Sequence, residues 1–194
     1  LISIETDNYG KMDISKLNNE IRKSKLLGKK LFSVVATFGT TIRGSIDPIY
    51  EIGKICKDNN LWLHIDGSIG GIFAISNYKS HNIKEIENIN IANSITINPQ
   101  KILGITKTSS LLLVDDINKL KKAFYTGLPY IDSSDDVLNR GELGVQGSRP
   151  AEIIKLWLGL KFLGKDGIDS ILSSSIRKKF LFENILDKNK FNVY

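Results

Sequence analysis

Two short segments of this chain carry residues that are costly to place where they stand. His64-Ile65-Asp66 closes one apolar run, and Asn98-Pro99-Gln100-Lys101 follows another, Ser94 to Ile97. Runs of this length and composition read as buried strands. An aspartate and a lysine at the ends of two core strands need a reason to be there. A cofactor that takes one amine and one carboxylate supplies it. Pyridoxal phosphate takes that pair, a lysine for the Schiff base and an acid facing the pyridine nitrogen. Lys101 would attack the cofactor aldehyde as a neutral amine, a form favoured beside a cationic ligand and in a partly desolvated site. Asp66 would keep the ring nitrogen protonated and make the ring an electron sink. The plainer alternatives are a surface lysine after an edge strand, and a helix cap or solvated loop acid.

The flanking residues favour the site. Gly67 and Gly70-Gly71 follow Asp66, and missing side chains let backbone come near a flat ligand. Gly39-Thr40-Thr41 offers a turn and two hydroxyls for the ring oxygen or the phosphate, and Asn98 and Gln100 can donate to phosphate. His64 suits either a site residue or a satisfied core histidine. Asp47 reads as the N-cap of a helix rather than as a catalytic acid.

The elements that must position these groups alternate. Asp13 caps a predicted helix to about Leu27, with Ile14, Leu17, Ile21 and Leu26 on one side and Gly28 as the stop. Leu31 to Phe38 reads as a strand covered on both faces. A second helix starts at Asp47-Pro48, with the proline in the first turn and Ile49, Ile52, Ile55 and Cys56 on its apolar face. Leu61 to Ile65 is the next strand, and a weaker helical or irregular stretch spans residues 79–91. Strands over 94–97 and 109–114 precede a helix over 117–124. Residues 125–148 form a long loop of little periodicity. Pro150 opens an apolar helix to Leu163, closed by Gly164, and residues 168–186 continue as helix. This order implies an α/β domain with a mostly parallel sheet. Ligands gather at the carboxyl ends of strands in such sheets, where Thr40-Thr41, Asp66 and Asn98-Lys101 all fall.

Composition narrows the class. The chain has 194 residues, 41% apolar and 25% charged, and these are the proportions of an ordinary globular protein. The net charge of +6 comes from scattered lysines without aromatic interleaving, which argues against a nucleic-acid partner. No apolar run reaches the length of a membrane span, and no signal peptide is expected. The single cysteine, Cys56, cannot make an internal disulfide, fits a reducing cytoplasmic setting and sits on an apolar helix face unsuited to a nucleophile. Leu1-Ile2-Ser3-Ile4 alternates like a strand, and Phe191-Asn192-Val193-Tyr194 stops on a strand-like run. The chain is expected to be a fragment of a longer fold.

Four motifs in sequence now resemble one family. VATFGTTIRGSIDPIYEIGKIC, LWLHIDGSIGG, SITINPQKILG and GELGVQGSRPAEIIKLWLGLKFLGKDG are similar, in order and spacing, to the group II pyridoxal-phosphate decarboxylases, which act on glutamate, aromatic and related amino acids. The resemblance runs from NYGKMD to the last motif. It implies a partial fold type I large domain over residues 1–150, with 125–148 as a mobile loop. Residues 151–194 would be the linking helix and start of the small C-terminal domain. It matches Lys101 to the cofactor lysine, Asp66 to the acid on the pyridine nitrogen, Thr41 to a cofactor-side threonine and Asn98 to a phosphate-side asparagine. Gln100 stands where many members have histidine and keeps a donor to phosphate. Gly67-Ser68 stands where the family has two alanines, which puts the Ser68 hydroxyl near the ring. Tyr130 matches a loop tyrosine that protonates the carbanion, with Tyr125 as rival and a packing tyrosine as the plain alternative. Arg149 matches an arginine that binds phosphate or a substrate carboxylate.

The implied reaction is decarboxylation of an L-amino acid to the amine and CO2 through a Lys101 Schiff base, in a homodimer. The side chain of the substrate is left open, with a slight lean towards aromatic amino acids. A degenerate homologue serving as a binding or partner subunit is one alternative. An aldehyde-forming or lyase reaction on the same fold is another.

Overall fold

In the computed structural model, residues 1–76, 83–106, 109–125, 140–148 and 150–191 are described. Four strands, β1 (Ser33–Thr37), β2 (Trp62–Asp66), β3 (Ser94–Ile97) and β4 (Leu111–Val114), form one sheet in the order β1-β2-β3-β4. The first three run parallel, and β4 pairs antiparallel with β3. The fold is the mostly parallel α/β arrangement that the element order implies. Thr37, Asp66 and Thr96 lie side by side in register.

The sheet has two unlike faces, because side chains alternate along each strand. Val34, Ala36, Leu63 and Ile65 point into the core. Thr37, His64, Asp66, Ser94 and Thr96 share the opposite face with Val35, which is 52% exposed. Polar chemistry therefore has one face available, and the core takes the other.

Helix α1 (Ile14–Leu26) is capped by Asp13, whose carboxylate accepts the amides of Ser15 and Lys16. It buries Leu17 and Ile21 and gives way to Gly28, which takes a φ of 67°. Helix α2 (Ile49–Asp58) buries Ile49, Ile52 and Cys56 on the same core. Each such aliphatic side chain contributes about 1.5–3 kcal/mol when taken out of water. A second cluster joins Ile72, Ile97, Leu103 and Ile105 to Leu156, Ile168 and Leu172 of helix α5 (Glu152–Ile185). Between these lie the single turn α3 (Pro99–Ile102) and helix α4 (Ile117–Phe124), capped by Asp116.

Several boundaries differ from expectation. Strand β2 runs one residue further, so Asp66 is its last residue and shares the ladder. Strand β1 is shorter than the apolar run that marks it. Gly164 stands as expected: with a non-helical φ of 59° and ψ of −175° it closes the first helical half of α5 and kinks the chain into the second. Pro48, not Asp47, holds the N-cap position of α2. The Asp47 carboxylate instead reaches back to accept the amides of Thr37 and Met12, each at 2.7 Å. The irregular stretch contains a 3-10 helix at Lys84–Ile91. Most of the long loop lies outside the described residues, and its described end holds the 3-10 turn Arg140–Leu143. Among the described residues, no helix is long and apolar enough to cross a membrane.

Candidate active site

The carboxyl ends of β1, β2 and β3 are bound to one another by main chain. The amide of Phe38 donates to the carbonyl of Asp66 at 2.8 Å, and the amide of Gly70 donates to the carbonyl of Phe38 at 3.0 Å. Glycine is required here by space. A Cβ on Gly70 would stand 2.5 Å from the Phe38 oxygen, and one on Gly67 would stand 3.0 Å from the Thr96 oxygen. The turn after β2 therefore lies flat against its neighbours, and Asp66 is held at the rim.

Asp66 is ionised for identifiable reasons. Burial opposes its charge, but the Ser68 hydroxyl and amide both donate to Oδ1, and the charges of Lys101 and His64 add to them. The net effect holds the carboxyl below the usual carboxylate range. The structure thus sets Ser68 on Asp66, with Lys101 and His64 within electrostatic reach. Lys101 lies in α3, its amide donating to the Asn98 carbonyl at 3.1 Å. It is exposed rather than partly desolvated. Within the single turn α3, Ile102 packs against the cluster that α5 joins, and its neighbour Lys101 is left at the surface.

His64 is satisfied at both ring nitrogens. Nδ1 meets the Ser94 hydroxyl at 2.8 Å and Nε2 meets the Thr96 hydroxyl at 3.2 Å. The indole of Trp62 also donates to the Ser94 oxygen at 2.8 Å. Indole can only donate, so Ser94 accepts there and its own proton is free for Nδ1. Burial pushes the His64 pKa down, against the pull of Asp66. His64 is an oriented ring on the strand that ends in the acid. The row Trp62, Ser94, Thr96 escaped the sequence reading, although the alternation of Ser94-Ile95-Thr96-Ile97 marks a polar face.

Asn98 is oriented through its carboxamide oxygen, which accepts from the Ser110 hydroxyl. Gln100 carries a buried amide oxygen with no partner among the described residues. Thr40 is spent within its turn, its hydroxyl accepting the Ser45 amide at 3.0 Å. Thr41 is exposed and lines a groove with Thr6, Asn8, Gly10 and Arg43 that does not include Asp66 or Lys101. Tyr125 is 64% exposed at the end of α4. Tyr130 and Arg149 lie outside the described residues. Burial pushes the Cys56 thiol up to about 11, so it is no nucleophile.

The donor set fits pyridoxal phosphate. An ionised carboxylate suits a protonated pyridine nitrogen, and a primary amine stands in its electrostatic reach. The orphaned Gln100 carboxamide is a buried polar group that lacks a partner until a ligand supplies one. With the amide turned over, a choice made by the hydrogen-bond network, its nitrogen becomes a donor to phosphate.

Known proteins agree with the geometry. The chain matches the pyridoxal-dependent decarboxylase conserved domain over residues 1–194. It is 33% identical over 197 residues to the acidic amino acid decarboxylase GADL1 of Bos taurus, covering 98% of this chain and 37% of that protein. It is 32% identical to the aromatic-L-amino-acid decarboxylase of Bacillus atrophaeus, covering 96% of this chain and 39% of that protein. The crystal structure of mouse CSAD superposes with a TM-score of 0.83 at 30% identity, over 94% of this chain and 38% of that one. The chain thus spans about two fifths of the length of these relatives. These matches mean that the chain belongs to the group II pyridoxal-phosphate-dependent amino-acid decarboxylases.

Proposed function

We propose that this chain forms the cofactor-anchoring part of an enzyme that decarboxylates an L-amino acid to the amine and CO2. The observation that carries the proposal is an Asp66 whose carboxyl is held below the usual range by Ser68 and by the charge of Lys101, both groups following strands at the carboxyl edge of a parallel sheet. Lys101 would hold the cofactor covalently through its amine, and Asp66 would pair with the ring nitrogen. Asn98 and Gln100 serve the phosphate, while Thr41, which lines the groove after β1, is not assigned to the cofactor. His64 steadies Asp66 from its own strand, and Ser68 does so from the turn. When bound, pyridoxal phosphate supplies an electron sink for the pair released as CO2 leaves. Tyr130 would return a proton to the substrate carbon, with Tyr125 the second candidate, and Arg149 would bind the phosphate or a substrate carboxylate.

Residues 1–150 are proposed as the cofactor-binding part, and 151–194 as the linking helix and start of a smaller domain. The intact protein is proposed to be a cytoplasmic homodimer, consistent with one buried free thiol. The substrate is an amino acid, and the names of the relatives span acidic and aromatic ones.

The test is an absorbance spectrum of the full-length protein with pyridoxal phosphate, before and after borohydride, alongside Lys101→Ala. A cofactor band trapped as a covalent adduct on Lys101 and lost in the variant is the expected result, with CO2 released from an amino-acid panel. A folded protein with no such band would overturn the proposal. A trapped cofactor without CO2 release would point to the non-catalytic alternative.

A further inference from the structure

Asp66 is gripped from one side. The Ser68 hydroxyl donates to Oδ1, and the Ser68 amide donates to the same oxygen at 3.1 Å. The serine has little freedom to do otherwise. Its turn is tied by the Gly67 amide to the Ile65 carbonyl at 3.0 Å and by the Gly71 amide to the Gly67 carbonyl at 2.8 Å. The Gly70 amide fixes the far end on Phe38. A serine on an open turn ordinarily spends its hydroxyl on water. This one spends it on a charged acceptor, the stronger kind of hydrogen bond.

We propose that Ser68 is a positioning residue for Asp66: its two donors hold Oδ1, fix the carboxylate plane and leave Oδ2 for the ring nitrogen of the cofactor. The inference rests on the assignment of Asp66 to that nitrogen. The titratable groups acting on Asp66 are Lys101, after β3, and His64, on its own strand. Its neighbours in register on β1 and β3, Thr37 and Thr96, carry no charge. Among the described residues Ser68 is therefore the uncharged side chain that acts on the carboxylate directly, and its removal should move the acid without changing local charge.

The experiment measures retention of pyridoxal phosphate by the full-length protein against pH, by equilibrium dialysis with fluorescence of the bound cofactor. The parent is compared with Ser68→Ala, Ser68→Cys and Asp66→Asn. Cysteine keeps the volume of serine but is a far weaker donor. Loss of the hydroxyl should shift the acid-side midpoint of retention upward by about one pH unit, or roughly tenfold weaker retention at a fixed acid pH. Alanine and cysteine should shift together. The proposal is overturned if neither variant moves, or if cysteine behaves as the parent while alanine does not, since volume would then be the cause. If Asp66→Asn leaves retention unchanged, or the parent binds no cofactor, the assignment of Asp66 itself fails and this inference with it.

Discussion

At the scale of single residues, the candidate site depends on what is absent from Gly70 as much as on what Asp66 carries. The Gly70 amide donates to the Phe38 carbonyl at 3.0 Å, and an added Cβ would stand 2.5 Å from that oxygen and 2.7 Å from the Phe38 ring. The oxygen is backbone and Phe38 is fully buried, so neither can turn aside. Gly70→Ala should therefore destabilise the fold by about 1–3 kcal/mol, the usual range for overpacking. A urea denaturation series would show this as a lower midpoint at an unchanged slope. An unchanged midpoint would mean that β1 and the turn after β2 can slide apart. The glycines near Asp66 were legible in the sequence as places of close approach. That the approach is made by Phe38 was not, because the contact crosses from one strand end to another.

At the scale of elements, Asp47 joins three pieces of chain that the sequence keeps apart. Its two carboxylate oxygens accept the amide of Met12, ahead of α1, and the amide of Thr37, at the end of β1, each at 2.7 Å. The residue itself is buried at the mouth of α2. Asp47→Ala leaves two amides without partners, and each such loss costs about 1–3 kcal/mol. The variant should lose several kcal/mol in urea unfolding, and Asp47→Asn, which keeps one acceptor oxygen, should lose less. Equal losses would show that charge rather than oxygen count holds the junction. From sequence, Asp47 ahead of Pro48 reads as a helix cap. That reading fails because the partners are remote in sequence, and only the packing of β1 beside α2 brings them within reach. Asp13 reads correctly because its partners, Ser15 and Lys16, are local.

At the scale of the whole molecule, stability and the site share their acid dependence. His64 is held below its ordinary pKa, chiefly by burial, and Asp66 is also depressed, because hydrogen bonds and nearby charges outweigh its burial. In both cases the unfolded chain takes up a proton at a higher pH than the folded one. The stability each supplies is therefore complete above its unfolded-state pKa and is lost as pH falls through the folded value. For His64 the loss begins near pH 6.5, and for Asp66 near pH 4. The urea midpoint should fall between about pH 7.5 and 5, and His64→Gln should flatten that window while leaving the fall below it. Parallel curves for parent and variant would show that His64 does not drive the first loss.

The sequence by itself determined the alternation of strands and helices, the capping of α1 and the positions of the acid and the amine. These follow from periodicity, local hydrogen bonding and the cost of placing charge at the ends of core strands. The family too was legible, because four motifs keep their order along nearly the whole chain. Only the tertiary structure decided which groups act on one another. The register of β2 with β3 sets His64 against Ser94 and Thr96. The turn after β2 directs the Ser68 hydroxyl onto Asp66. The bend after β1 carries Thr41 into a separate groove. Such pairings depend on strand register and turn direction, which are fixed when remote segments pack.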